Sequence, residues 1–240
     1  MTENETLAGA LLTPDTVNAT DYPISAVDIY DIERRQPDAV PCDGVVRPHI
    51  VLQQCDLAPY GNVSCFYTAA FACAADAWEL TADERKKALA AWRDGWAAIV
   101  RDGKVKPGFG GRLADGVDYS RRAWNAAFPE KRVRSFRGSV DTVAFYRALS
   151  LGWKVQIGRF VGKDELSDIL DDGIVQDDVK EAKDYGHSTG YYSKNCSIDL
   201  VQDNSPKNPL PWKNTYQLDD LETKVKNGVV FPSFYVFLRA

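Results

Sequence analysis

The hydrophobic pattern divides the chain into a helical first half and a second half with strand-like alternation. From Cys65 to about Leu80, apolar residues recur at three- and four-residue steps, which predicts a helix with one apolar face. Thr81-Ala82-Asp83-Glu84 has the form of a capping box and predicts a second helix that runs toward Arg101. Shorter helices are predicted from Tyr119 to Phe128 and from Thr142 to Leu149, and a glycine-rich loop at 106–116.

The hydrophobic period changes to two after residue 152. Apolar residues there alternate with Lys154, Gln156 and Gly158, so these three are expected on the polar face of a strand. Strands are predicted at 50–52, 133–136, 153–160, 187–193, 197–202 and 233–238. Helices followed by an antiparallel sheet predict an α+β protein of two packed parts.

Composition narrows the partners and the location. The net charge is −5 and no basic stripe with interleaved aromatics occurs, which argues against a nucleic-acid partner. No apolar run is long enough for a membrane helix, and the first fifteen residues do not form a secretory signal. We therefore expect a cytoplasmic or particle-associated protein, with a virion or another larger assembly left open. Residues 1–22 are predicted to be an N-terminal arm.

The five cysteines are odd in number and match no zinc motif, which indicates free thiols in a reducing compartment. A disulfide between Cys42 and Cys55 stays open. Cys65 lies in the first turn of its predicted helix, where unpaired N–H groups and the helix dipole favour a thiolate. Cys73, two turns later, is expected in the core.

The two histidines make the search for a base short. His49 has no partner signal and is expected on the surface. His187 begins one predicted strand, and Asn204 follows the next one. Because adjacent antiparallel strands bring such positions together, His187 and Asn204 are expected to touch. Cys65 would then be a nucleophile, His187 its base and Asn204 the group that orients the imidazole.

These residues resemble the papain-like cysteine peptidases. Ser64-Cys65-Phe66, Gly186-His187-Ser188 and Asn204-Ser205-Pro206 occur in the order of the family's Ser-Cys-Trp, Gly- or Asn-His-Ala and Asn-Ser-Trp-Gly motifs. The resemblance spans residues 23–240 and implies one peptidase domain. Its helical lobe would cover about 60–130, and its antiparallel, barrel-like sheet lobe about 131–240 plus the N-terminal segment.

The resemblance also implies an activity. Cys65 would hydrolyse peptide bonds of a polypeptide substrate through a thioester, in a cleft between the lobes, with no metal or organic cofactor. Gly110 and Gly111 resemble the glycine pair that lines the family's cleft, and with Gly186 they are the expected substrate-binding residues. No long inhibitory segment is expected before the domain.

Two positions depart from the family pattern. Pro59 stands where the family has its oxyanion glutamine, so Gln54 is assigned that role in preference to Gln53, with Asn62 as a further candidate. Pro206 replaces the tryptophan that shields the His–Asn pair, and Trp212 is a candidate replacement. These departures favour, as an alternative, an inactive homologue that serves as a structural or binding module. A third hypothesis is a Cys-His-Asp acyl transferase that uses Asp203 in place of Asn204.

Overall fold

Over the described residues, the chain forms three helices with defined bounds and one six-stranded sheet. A computed structural model describes residues 21–23, 50, 52–139, 145, 148, 153–161, 185–194, 197–202, 225–228 and 230–240. The helices are α1 (Cys65–Ala75), α2 (Ala82–Arg101) and α3 (Leu113–Ala127). The strands are β1 (Asp21–Pro23), β2 (Val133–Ser139), β3 (Val155–Val161), β4 (Tyr185–Lys194), β5 (Ser197–Gln202) and β6 (Val230–Arg239). The predicted α+β class is confirmed.

The sheet has the strand order β1-β2-β6-β3-β4-β5. All neighbours pair antiparallel except β1 and β2, which are parallel. β1 begins at Asp21, within the range predicted as an arm. The predicted β4–β5 hairpin is present, with Gly190 opposite Gln202. β6 lies between β2 and β3, so segments that are distant in sequence meet at the centre of the sheet.

Helix α1 is buried on all sides rather than on one face. Every residue from Phe66 to Ala75 is buried, including Tyr67 and Phe71, because α1 packs against α3 and also against β3, β4 and β6. Alanine fills much of its surface, so neighbouring elements can approach closely. The prediction of a single apolar face was wrong for this reason. The helix also ends at Ala75, earlier than its apolar pattern suggests.

Helix α2 begins at the predicted capping box. The Thr81 hydroxyl accepts a hydrogen bond from the Glu84 N–H at 3.3 Å, and the Glu84 carboxylate accepts one from the Thr81 N–H at 2.8 Å. Trp92, Trp96 and Ile99 lie on its buried face. These indole rings contribute large apolar areas to the core of the helical part.

Helix α3 begins at Leu113, so the loop prediction was wrong for residues 113–116. Gly116 lies inside the helix although glycine disfavours helix by about 1 kcal/mol. A β-carbon at Gly116 would stand 2.6 Å from the carbonyl oxygen of Phe66. Glycine is therefore required for the close approach of α3 to α1, and this packing outweighs the local propensity.

Strand β3 is buried on both faces, contrary to the alternation expected from the sequence. Lys154 and Gln156 have exposed fractions of 6% and 0%. Their face is covered by α1, because Lys154 Nζ forms an ion pair with Asp76 at the end of α1, 2.6 Å away. The opposite face is covered at Phe145, whose ring lies 5.5 Å from that of Phe234 on β6. The polar side chains of a central strand are thus enclosed between two layers.

Two smaller results complete the fold. Ile50 and Leu52 are buried core residues outside any strand, so the strand predicted there was wrong. Phe145 and Ala148 are helical and buried, within the helix predicted from residue 142.

None of the helices in the described part of the chain has the length and apolarity to cross a membrane.

Candidate functional site

Cys65 is the first residue of α1 and carries a free, partly exposed thiol. Ser64 precedes it, but the Ser64 side chain does not cap the helix. Instead, the Ser64 and Thr68 hydroxyl groups are hydrogen-bonded to each other at 3.1 Å. The thiol therefore lies at a helix start where backbone N–H groups point outward from the first turn.

Gln54 lies beside this helix start although eleven positions separate it from Cys65 in sequence. Its Nε2 donates to the carbonyl oxygen of Asn62 at 3.2 Å and so joins the short 3-10 turn at Gln54–Asp56 to the turn at Gly61–Val63. The Gln54 side chain is buried, and its Oε1 has no hydrogen-bond partner among the described residues. A buried amide oxygen without a partner costs about 1–3 kcal/mol, so this position asks for an explanation.

The segment between Gln54 and Cys65 is fixed to the helical part. The indole N–H of Trp96 donates to the carbonyl of Pro59 at 2.8 Å. Tyr60 follows in a left-handed conformation and is one of two large hydrophobic residues with exposed side chains in the described part; the other is Phe109. Pro59 itself is exposed, and the Asn62 side chain is exposed as well. This segment thus places Gln54, rather than residue 59, in the interior.

Gly110 and Gly111 lie against the same helix start. A β-carbon at Gly110 would stand 3.4 Å from the carbonyl oxygen of Val63, and one at Gly111 would overlap the ring of Phe66. The glycine pair therefore passes directly beside the residues that flank Cys65. Its lack of side chains leaves backbone N–H and C=O groups beside Val63 and Phe66.

His187 and Gly186 lie on β4, which packs against α1. In the β3–β4 ladder, His187 is opposite Arg159 and Gly186 is opposite Phe160. The backbone of His187 is described, whereas its side chain lies outside the described part. β5 pairs with β4 from Gly190 onward and runs toward the His187 end. Several other predicted residues lie outside the described part: Cys42, His49, Asp203, Asn204, Pro206 and Trp212.

Cys73 differs from Cys65 in its surroundings. It is buried in α1, and this burial raises the pKa of its thiol to about 12, against a smaller lowering by Lys154. A thiol held in its neutral form is a poor nucleophile. The prediction that Cys73 is a core residue is confirmed.

Sequence reasoning missed one polar contact beside the candidate nucleophile. Gln156 Nε2 on β3 donates to the carbonyl of Phe66 at 2.8 Å, and the Gln156 side chain is fully buried. Phe66 is the residue after Cys65, so this bond reaches the first turn of α1. An amide in the middle of an apolar strand was the available signal, but alternation assigned it to a solvent-facing side.

No group of three or more metal-binding side chains occurs among the described residues. Comparisons with protein-family models, with curated proteins and with solved structures gave no match.

Proposed function

We propose that this protein is a cysteine peptidase of papain-like fold, in which Cys65 is the nucleophile. His187 is the base and then the acid, and Asn204 orients its imidazole. Gln54 and the backbone N–H of Cys65 hold the oxyanion. The observation that carries the proposal is the gathering of the Gln54 amide, the Cys65 thiol and the Gly110–Gly111 backbone around one helix start.

The reaction would proceed in two steps. The Cys65 thiolate attacks the carbonyl carbon of a peptide bond, and the imidazolium of His187 donates a proton to the leaving amine, so a thioester remains on Cys65. Water then attacks the thioester while the imidazole accepts its proton, which releases the acid and restores the thiolate and the imidazolium. No metal or organic cofactor takes part in either step.

Gln54 has the chemistry that the oxyanion requires. A primary amide nitrogen carries two N–H groups, and one of them binds the Asn62 carbonyl. The proposal assigns the second N–H to the oxyanion, together with the Cys65 N–H at the start of α1. One such donor is worth about 3–4 kcal/mol of transition-state stabilisation. The Gln54→Ala variant is therefore expected to lose roughly 10²–10³-fold in rate, and Gln53→Ala is its matched control.

Substrate would lie along the glycine pair. Gly110 and Gly111 present backbone groups beside Val63 and Phe66, and an extended peptide binds such groups through main-chain hydrogen bonds. The exposed rings of Tyr60 and Phe109 border the same segments. A polypeptide substrate fits this combination, with main-chain recognition from the glycines and apolar contact from the rings.

An inactive homologue that acts as a binding or structural module is the alternative. The observation that favours it is the Gln54 amide, which already donates to a backbone carbonyl at the place where an oxyanion donor is needed. The third hypothesis, an acyl transferase, uses Asp203 in place of Asn204. Asp203→Ala would then abolish activity and Asn204→Ala would not.

The test is covalent labelling with a peptidyl vinyl sulfone, located by peptide mass spectrometry. In this reaction the thiolate adds to the β-carbon of the probe, and the α-carbon takes a proton. Folded wild type is expected to be labelled at Cys65. Cys65→Ala should abolish labelling, whereas Cys73→Ala should leave it unchanged.

The two histidines provide a matched pair for the base. His187→Ala is expected to slow labelling strongly, and His49→Ala to leave it at the wild-type rate. A natively folded wild-type protein that remains unlabelled would refute the peptidase proposal and favour the binding module.

A further inference from the structure

Gln156 links the sheet to the turn that holds the candidate nucleophile. The donor and acceptor of the Gln156–Phe66 bond are 90 residues apart in sequence, and both residues are almost fully buried. In an α-helix the carbonyl of Phe66 already accepts the N–H of residue 70, so Gln156 uses the second lone pair of this oxygen. The bond is therefore additional to the helix and serves to fix its first turn against β3.

The Phe66 peptide is enclosed from several directions. Gly116 of α3 lies against its carbonyl oxygen, Gly111 lies against its ring, and the ring of Trp96 is 6.2 Å from the Phe66 ring. Gln156 supplies the directional contact among these van der Waals neighbours. Because a hydrogen bond restricts both distance and angle, it sets the rotation of the first turn more narrowly than packing does.

Gln156 also pairs with the strand that carries the candidate base. Gln156 is opposite Gly190 on β4, and His187 lies three residues from Gly190 on that strand. A continuous series of backbone and side-chain contacts thus runs from β4 through Gln156 and Phe66 to Cys65. A change at Gln156 would therefore act on the first turn of α1 without touching either reacting group.

Lys154 provides an internal comparison. It comes immediately before β3 and two residues before Gln156, yet its ion pair with Asp76 holds the opposite end of α1. Both contacts attach the helix to the same strand and both are buried, but only the Gln156 contact is next to Cys65. Variants at the two ends of α1 therefore distinguish a change in the position of the thiol from a loss of stability.

We propose that Gln156 is a positioning residue, which through the Phe66 carbonyl sets the placement of the Cys65 thiol relative to the base on β4. This inference depends on the proposed peptidase function. A displacement of about 1 Å of a reacting group can cost roughly 10²-fold in rate. The Gln156→Met variant, which removes the amide while keeping a similar length, is expected to react 10–100-fold more slowly with the peptidyl vinyl sulfone.

The experiment compares two probes at the same residue. Inactivation by the vinyl sulfone requires the thiol and the base to be correctly placed relative to each other, whereas alkylation by iodoacetamide requires only an accessible thiolate. A purely structural role of Gln156 would change only the fraction of folded protein. This fraction cancels in the ratio of the two rates at Cys65. Gln156→Met should lower the maximal vinyl sulfone rate and this ratio by 10–100-fold, with little change in the concentration of half-saturation.

The control is the double variant Asp76→Leu/Lys154→Met, which replaces the other contact with apolar side chains. Its ratio is expected to equal that of wild type whatever its stability. An unchanged ratio in Gln156→Met, or an equal fall in the control, would overturn the positioning role while leaving the function intact. It would also be overturned if Gln156→Met lost its native near-ultraviolet circular dichroism, because Gln156 would then be needed for the fold itself. Wild type without vinyl sulfone reactivity would instead refute the function.

Discussion

The buried Lys154–Asp76 ion pair provides the sharpest test of the packing between α1 and the sheet. Its charged atoms are 2.6 Å apart, and the side chains of Lys154 and Asp76 are 3% and 2% exposed. Lys154→Met removes the cation, keeps a similar chain length and leaves the Asp76 carboxylate buried without that cation. The Asp76 carboxylate at the helix end then lacks the ammonium group that lies 2.6 Å away in the native fold.

The magnitude follows from the geometry. At an effective dielectric constant of about 20, two unit charges at this distance attract by about 6 kcal/mol. Desolvation of both groups offsets much of this attraction. When one partner is removed, the desolvation penalty of the other group remains without the attraction that offset it. Breaking a buried pair typically costs about 3–5 kcal/mol. We expect Lys154→Met to lower the free energy of unfolding by this amount, which is a large share of the roughly 5–15 kcal/mol typical of a domain.

The assay is urea unfolding followed by tryptophan fluorescence, with the midpoint and the slope fitted for each variant. Asp76→Leu/Lys154→Met should be far more stable than the single variant, because no buried charge remains. Lys86→Met, which breaks an exposed pair with Asp83, should change stability by less than about 1 kcal/mol. A cost below about 1 kcal/mol for Lys154→Met, or a double variant as unstable as the single one, would refute the reasoning.

Three further expectations follow. Gly111→Ala should lower the free energy of unfolding by about 1–3 kcal/mol, because the methyl group overlaps the ring of Phe66; Gly110→Ala, with only an ordinary contact, should cost much less, and equal costs by urea unfolding would contradict this. The raised pKa of the Cys73 thiol means that unfolding releases its proton above about pH 9, so stability should fall as the pH rises from about 9 toward 12; Cys73→Ala should show a smaller fall. Hydrogen bonds from Lys131 and from the Thr81 N–H lower the pKa of the Glu84 carboxyl to about 2. The contribution of Glu84 to stability is therefore full above pH 4.5 and is lost as the pH falls toward 2. Acid titration of Glu84→Gln should show a weaker loss of stability over that range.

Local signals predicted the elements that depend on local chemistry. The capping box located the start of α2, and period-two alternation located the β4–β5 hairpin, because both patterns arise within a few residues. The placement of Gly116 inside a helix was not predictable in this way. The reason for this glycine is the backbone of α1, which is some fifty positions earlier in the sequence.

The candidate site likewise has parts that depend on the local sequence and parts that depend on distant segments. Cys65 at a helix start follows from the sequence next to it, whereas the proximity of Gln54 depends on the 3-10 turns and on the anchoring of Pro59 by Trp96. Gln156 was assigned to a polar face because alternation alone cannot tell whether the second face of a strand meets solvent. That question is decided by β6, which makes β3 a central strand, and by α1, which covers it. The roles of His187 and Asn204 stay predictions.

The position of β6 makes the rest of the sheet depend on the segment Val230–Arg239. Without Val230–Arg239, β2 and β3 would each present an open edge of unpaired N–H and C=O groups. The sheet would then consist of two separate pieces, β1–β2 and β3–β4–β5, each able to pair with another chain. A protein without Val230–Arg239 is therefore expected to aggregate through these two edges, and the ten-residue strand β6 protects the sheet from such pairing.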